Sequence, residues 1–176
     1  WKSSDKGETW TNIFGGKSKT EVVYISPGSS VIINSPSSLG PYTYIAASFG
    51  PALTKDGITK DIILADDGDA TSTGALVGSL TDACTDLVNS SEMNGKIALL
   101  QRGGCAFVTK VKNAQLAGAV AVIVSNRDDG SGKADTENPI GMGGTTLPGE
   151  ITIPSVMISN SDGVKIIEAL KNGNVN

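Results

Sequence analysis

The sequence predicts a mixed α/β domain with many loops, on three observations. Short apolar runs alternate with turn signals through the first half. Strand-like and helix-like periodicities alternate through the second. Composition supplies the third: 39% hydrophobic residues suffice for one core, while 22 glycines and 5% aromatics mark a loop-rich chain. At 176 residues the length fits one domain with a small appendage.

The elements follow in chain order. Residues 1–20 are polar and charged and carry both tryptophans, Trp1 and Trp10. They are set apart from 21–176, which reads as the main domain. A chain that begins at Trp1 is expected to be a piece of a longer polypeptide. Val22-Val23-Tyr24-Ile25 and Val31-Ile32-Ile33 predict two strands around the turn Ser26-Pro27-Gly28-Ser29. Residues 35–41 are turn-rich. In 42–49 the alternation of Tyr44, Ala46 and Ser48 with Ile45, Ala47 and Phe49 predicts another strand. Asp61-Ile62-Ile63-Leu64-Ala65 predicts a buried strand that ends in the acidic loop Asp66-Asp67-Gly68-Asp69. Asp66, Asp67 and Asp69 are calcium candidates by residue type. Their spacing lacks the full ligand set and distant Glu of an EF-hand, so a solvated loop is the expectation.

Lys96-Ile97-Ala98-Leu99-Leu100 has the continuous apolar character of a strand buried on both faces. Phe107, Val111, Ala114 and Gly118 fall on one face of a 3.6-residue repeat, predicting a helix over 107–118. Lys110, Lys112 and Gln115 lie off that stripe, and Gly118 is a natural stop. Residues 119–124 form a nearly continuous apolar strand. Strand–helix–strand with tight connections implies a parallel pair with a right-handed crossover. The glycine-, aspartate- and threonine-rich stretch 127–150 predicts a long exposed loop. Residues 151–158 supply another strand region, with Pro154 placing its first part at an edge. A last helix is predicted over 162–171, capped by Asn160 or Ser161, with Val164, Ile166, Ile167 and Leu170 facing inward.

Charge and residue types exclude several functions. The net charge is −4 and the pI about 4.8, whereas nucleic-acid binding needs a concentrated basic face. There is no histidine. A Ser-His-Asp triad, a Cys-His dyad and an HExxH zinc site are therefore impossible within this chain. Gly103-Gly104 and Gly141-Met142-Gly143-Gly144 complete neither a dinucleotide nor a Walker fingerprint. No cofactor is expected. No apolar run approaches the roughly 18–20 residues that span a bilayer, so no membrane partner is expected. Cys84 and Cys105 lie about 20 residues apart, and a disulfide closing that loop would stabilise the fold by about 3 kcal/mol. A pair of buried free thiols is the alternative. Asn89-Ser90-Ser91 is a formal glycosylation sequon.

Two resemblances arise from these residues. Ser3, Asp5, Gly7, Thr9 and Trp10 match the pattern S-x-D-x-G-x-T-W and resemble an Asp-box, which implies a β-hairpin or linker role for 1–20. One copy cannot form a propeller, whose repeats bury their faces against neighbours. The second resemblance covers roughly 21–173. Gly95-Lys96-Ile97-Ala98-Leu99-Leu100-Gln101-Arg102-Gly103-Gly104-Cys105-Ala106-Phe107, with Lys110 following, resembles the central signature of the protease-associated (PA) domain. Asn113-Ala114-Gln115, Ala117-Gly118-Ala119, Val122-Ile123-Val124-Ser125-Asn126 and Ile153-Pro154-Ser155-Val156-Met157-Ile158-Ser159 match in order. Ser48-Phe49-Gly50-Pro51 and Asp82-Ala83-Cys84 also resemble PA domains of secreted bacterial peptidases.

That resemblance implies a β-barrel-like or sandwich sheet flanked by two α-helices, and a disulfide between Cys84 and Cys105. It implies a noncatalytic domain that binds peptide, covers an active site or mediates protein contacts within a larger peptidase, outside the cell or at a bacterial cell surface. The expected partner is a peptide or protein substrate of that peptidase, or its catalytic domain. The implied contact surface is Arg102, Gly103, Gly104, Cys105, Ala106 and Phe107. Backbone N–H groups freed by two glycines before a helix N-terminus suit a carboxylate or peptide carbonyl, and Arg102 would add a bidentate donor. The other reading, to which the residues lean, is a tight turn pinned by the disulfide with Phe107 in the core. An inert spacer between domains is the alternative function, and a single intrachain disulfide fits a monomer.

Overall fold

The structure is a computed structural model that describes residues 22–26, 30–34, 39–72, 76–128, 135–147 and 149–172. The Asp-box resemblance at 3–10 lies outside them. Among the described residues eight strands form one sheet: β1 (Val22–Ser26), β2 (Ser30–Ile33), β3 (Leu39–Thr43), β4 (Ile45–Ala46), β5 (Ile58–Leu64), β6 (Ile97–Gln101), β7 (Ala121–Ser125) and β8 (Ser155–Ile158). Their spatial order is β3-β2-β1-β5-β6-β7-β8-β4. β3 and β4 sit at opposite ends of that order, yet Tyr44 alone separates them in the chain. A single extended segment therefore links the two ends of the sheet, which must curl into a barrel-like shape. The expected mixed α/β fold is what the chain adopts.

The sheet has two characters. β1, β2, β3 and the β1–β5 pairing are antiparallel. β5, β6, β7 and β8 are mutually parallel. Parallel strands need crossovers that cover the faces. The helix α2 (Phe107–Leu116) lies between β6 and β7, and α3 (Asn160–Asn172) follows β8. A four-residue α1 (Ser90–Met93) precedes β6. Alternation along the strands divides the interior. Ala98, Leu100, Val122, Val124 and Met157 join Val111 and Ala114 of α2 in one core. Ile97, Leu99, Ala121, Ile123, Val156 and Ile158 join Ile166 of α3, together with Val31, Ile33 and Tyr42 of the ribbon, in the other.

Four sequence expectations change. Residues 39–41, expected in a turn, are strand and join 42–43 in β3; it pairs with β2 across a register shift between Val31 and Ile33, an irregularity that accommodates Pro41 beside a ladder it cannot donate to. Residues 151–154 are not strand, and β8 is an interior strand between β7 and β4, so Pro154 marks where the strand begins rather than an edge. In α3 the Ser159 hydroxyl, not that of Ser161, accepts the Asp162 N–H at 3.2 Å. Val164 is 39% exposed, while Gly163 takes the inward place against Ser125: a Cβ there would lie 1.8 Å from the Ser125 hydroxyl. Among the described residues no helix is long and apolar enough to cross a membrane.

Candidate functional site: the disulfide-pinned turn

The 95–107 signature folds into a tight passage from β6 to α2. At its start the Gln101 N–H reaches the Thr81 carbonyl at 2.9 Å, and the Arg102 N–H reaches the Ser125 carbonyl at 3.0 Å. The chain then turns through Gly103 (φ +113°) and Gly104 (φ +71°). Both glycines are required by space as well as by φ. A Cβ on Gly103 would meet the Val77 carbonyl at 2.2 Å, and one on Gly104 would meet Asp82 Oδ2 at 2.5 Å and Cys84 Sγ at 2.8 Å. Cys105 closes the turn through a disulfide to Cys84, with the two Cα atoms 5.7 Å apart. The pairing implied by family resemblance is therefore present, and the free-thiol alternative falls.

The six predicted contact residues divide by exposure. Arg102 is only 5% exposed, and its Nη1 donates to Asn126 Oδ1 at 3.1 Å. Gly103 and Gly104 are buried, and Phe107 is half-buried against the α2-side core. The structure thus brings the six together on one turn, of which only Ala106 is exposed and Cys105 partly so. Arg127, which the sequence reading passed over, ties this turn to its neighbour. Its Nε donates to the Arg102 carbonyl at 2.6 Å, and its Nη2 donates to the carbonyls of Val77 and, at 3.2 Å, Gly78. An arginine just after an apolar strand was the only local signal.

Beneath the turn lies a buried charge pair. Lys110 was expected on the outer face of α2, but it is 0% exposed. The segment 79–85 covers it, and helical periodicity carries no information about a segment so distant in the chain. Its Nζ donates to the Asp82 carbonyl at 2.7 Å and to Cys84 Sγ at 3.2 Å, and lies 3.5 Å from Asp82 Oδ1. Burial lowers the Lys110 ammonium from its ordinary 10.5 to about 8, with Asp82 opposing the shift. One helical turn on, Asn113 Nδ2 donates to the Ala83 carbonyl at 2.9 Å. These two side chains hold Ala83 at φ +58°, in the left-handed region that a non-glycine residue rarely adopts. Asp82 also accepts from the N–H groups of Ser79 and Cys84, at 2.7 and 3.0 Å.

The acidic loop is wired into the same region. Asp67 is buried, and its Oδ2 accepts the Cys84 N–H at 2.7 Å. Burial raises its pKa, against the hydrogen bonds from Thr85 and Cys84. Asp66 accepts the Gly68 N–H at 2.9 Å, and Asp69 accepts from Thr71 at backbone and hydroxyl. The three calcium candidates thus turn to three different backbone partners. Asp82, Cys84 and Cys105 do place metal-type donor atoms within 4.8 Å of one another, but both sulfurs are spent in the disulfide. The Asn89 amide of the sequon is also committed: it donates to the Leu64 carbonyl at 2.9 Å and accepts the Asp66 N–H at 3.1 Å.

Where it is described, the 127–150 stretch is the largely exposed loop expected, anchored at a few points. Met142 is buried, and its carbonyl takes the N–H and hydroxyl of Ser48. Asn126 Nδ2 reaches the Asn138 carbonyl at 2.7 Å.

Fold and turn together define an α/β scaffold in which buried Asp82, Arg102, Lys110 and Asn126 hold its own loops. The PA domain model matches residues 72–166, more than half of the chain, and the chain belongs to that family. It is 37% identical over 89 residues to an ER degradation-enhancing alpha-mannosidase-like protein 3 of Xenopus laevis, covering 50% of this chain and 10% of that protein. It is 35% identical over 82 residues to the minor extracellular protease Vpr of Bacillus subtilis, covering 47% and 9%. A probable leucine aminopeptidase 2 of Aspergillus fumigatus is 35% identical over 127 residues, covering 70% and 24%. Among solved structures, the zinc aminopeptidase BSAP of Bacillus subtilis shares the fold with a TM-score of 0.51 at 23% identity, over 84% of this chain and 30% of that one. The chain therefore spans about a tenth to a quarter of the curated relatives named here.

Proposed function

We propose that this PA domain is a noncatalytic module of a larger secreted or cell-surface peptidase, where it holds or covers polypeptide next to the catalytic domain. The observation that carries the reading is the turn at 101–107: a rigid, disulfide-pinned edge that presents Ala106 outward beside partly buried Cys105. In this reading Ala106 and the rim of Cys105 touch the bound chain. Arg102, Gly103, Gly104 and Phe107 hold the turn in shape. Likeness to extracellular and aminopeptidase relatives supports a peptidase parent, and the absence of histidine removes the commonest hydrolytic machinery from this domain.

The test is an amide-shift titration of the isotope-labelled chain with a mixed peptide digest. Saturable shifts are expected at 101–107 and along the neighbouring 76–80 segment, and Ala106→Arg should weaken them by about tenfold, as expected of a residue central to a contact. No shift at millimolar peptide would replace this reading with that of a spacer between domains.

A further inference from the structure

We infer that the Cys84–Cys105 bond is a directional site of thiol–disulfide exchange, in which an incoming thiolate attacks Cys105 and Cys84 departs as a thiolate facing Lys110. Two observations carry this. Lys110 Nζ contacts Cys84 Sγ at 3.2 Å from a fully buried position. Cys105, partly buried like Cys84, makes no such contact and stands beside exposed Ala106 on the turn. Exchange is faster when the departing sulfur is the better-stabilised thiolate, and an ammonium in contact lowers a thiol pKa.

The Asp82 carboxylate lies within 4.8 Å of both sulfurs and opposes a thiolate on either, so the direction comes from the Lys110 contact with Cys84. Asp82 and Asp67 face Lys110 from the loops above it, and Arg127 is also felt there. Asp82 already partners the ammonium, and a thiolate on Cys84 adds a second anion that keeps Lys110 protonated. Cys105 has the start of α2 two residues away, but a helix N-terminus offers only about half a unit charge. The steps balance. The attacking thiolate forms a bond to Cys105 Sγ, the Cys84–Cys105 bond breaks, and its electron pair remains on Cys84. A second thiol of the reductant then attacks the mixed disulfide and releases Cys105. The disulfide is reduced by two electrons and the reductant, a dithiol, is oxidised to its disulfide. The outcome frees the 102–107 turn from the 79–85 segment, whether or not the turn holds peptide.

The probe is glutathione, added to the native chain, quenched in acid and followed by alkylation of the released thiol and peptide mapping. The expected adduct is on Cys105, with Cys84 alkylated, in about tenfold excess over the reverse. An even mixture, or an excess on Cys84, overturns the inference. Unequal access to the two partly buried sulfurs could bias attack, so a second measurement isolates the lysine. In the Cys105 mixed disulfide, alkylation of Cys84 should have its midpoint at least about one pH unit below the ordinary 8.5, and a midpoint at or above it overturns the inference. Lys110→Met should return that midpoint upward; if that variant does not fold, the two wild-type measurements decide.

Discussion

β6, β7 and β8 bury almost every side chain, whereas β2 and β3 bury only alternate or isolated residues. The parallel strands have α2 on one face and α3 on the other. The described part of the antiparallel ribbon gives one face to the shared core and leaves residues such as Thr43 exposed. The difference shows why the candidate turn sits where it does. A loop needs a rigid base to be held in one shape, and the doubly covered strands supply it. The turn at 101–107 leaves the end of β6 and is roofed by a segment pinned to α2.

The comparison can be broken in three ways. The largest effect is expected from Leu99→Ala, which opens a cavity where the side chain is fully buried. It should cost about 3–4 kcal/mol in denaturant unfolding, against less than about 0.5 kcal/mol for exposed Thr43→Ala on β3. Similar costs at the two sites would erase the distinction between the halves. Gly104→Ala comes next, at about 2–3 kcal/mol, because it adds left-handed strain to a clash with Asp82 and Cys84. Melting that matches the parent would mean that the turn yields and is no rigid edge.

The smallest effect is a pH dependence traceable to Lys110. Its folded pKa, about 8, lies below the ordinary 10.5. Between those values the unfolded chain binds more protons than the native one, so stability rises with pH. The gain should be on the order of 2 kcal/mol between about pH 8 and 10. Above that range Tyr42, whose pKa is raised by burial, opposes it, since a native group that keeps its proton longer loses stability as pH climbs. Chemical unfolding at short times across that window measures the slope. A flat profile would mean that water reaches the ammonium and that its burial is incomplete.

Much of this arrangement was legible locally. The β6–α2–β7 unit could be read directly because its signals are periodic: a continuous apolar strand, a 3.6-residue stripe at Phe107, Val111 and Ala114, and a glycine stop at Gly118. The disulfide was open from the two cysteines alone, with free thiols as the alternative, and the resemblance implied the bonded form, since two cysteines state no geometry by themselves. Lys110 was misplaced because an amphipathic stripe assigns a lysine to solvent unless something covers it. The covering segment 79–85 lies 25 or more positions earlier in the chain. Arg127 escaped notice for the same reason: its partners, the carbonyls of Val77, Gly78 and Arg102, carry no sequence signature.

By itself the sequence determined the mixed α/β class, the buried strands, the two main helices, the glycine turn before α2 and the exclusion of histidine chemistry. These follow from residue type and spacing, which act over a few positions. Only the tertiary structure decided that the sheet curls so that its ends meet through Tyr44, that the arginine of the signature turns inward, and that an ammonium is buried against one sulfur of the disulfide. Those outcomes depend on which distant segments come to lie together. Burial, and with it pKa and reactivity, belongs to that assembly rather than to any single stretch of chain.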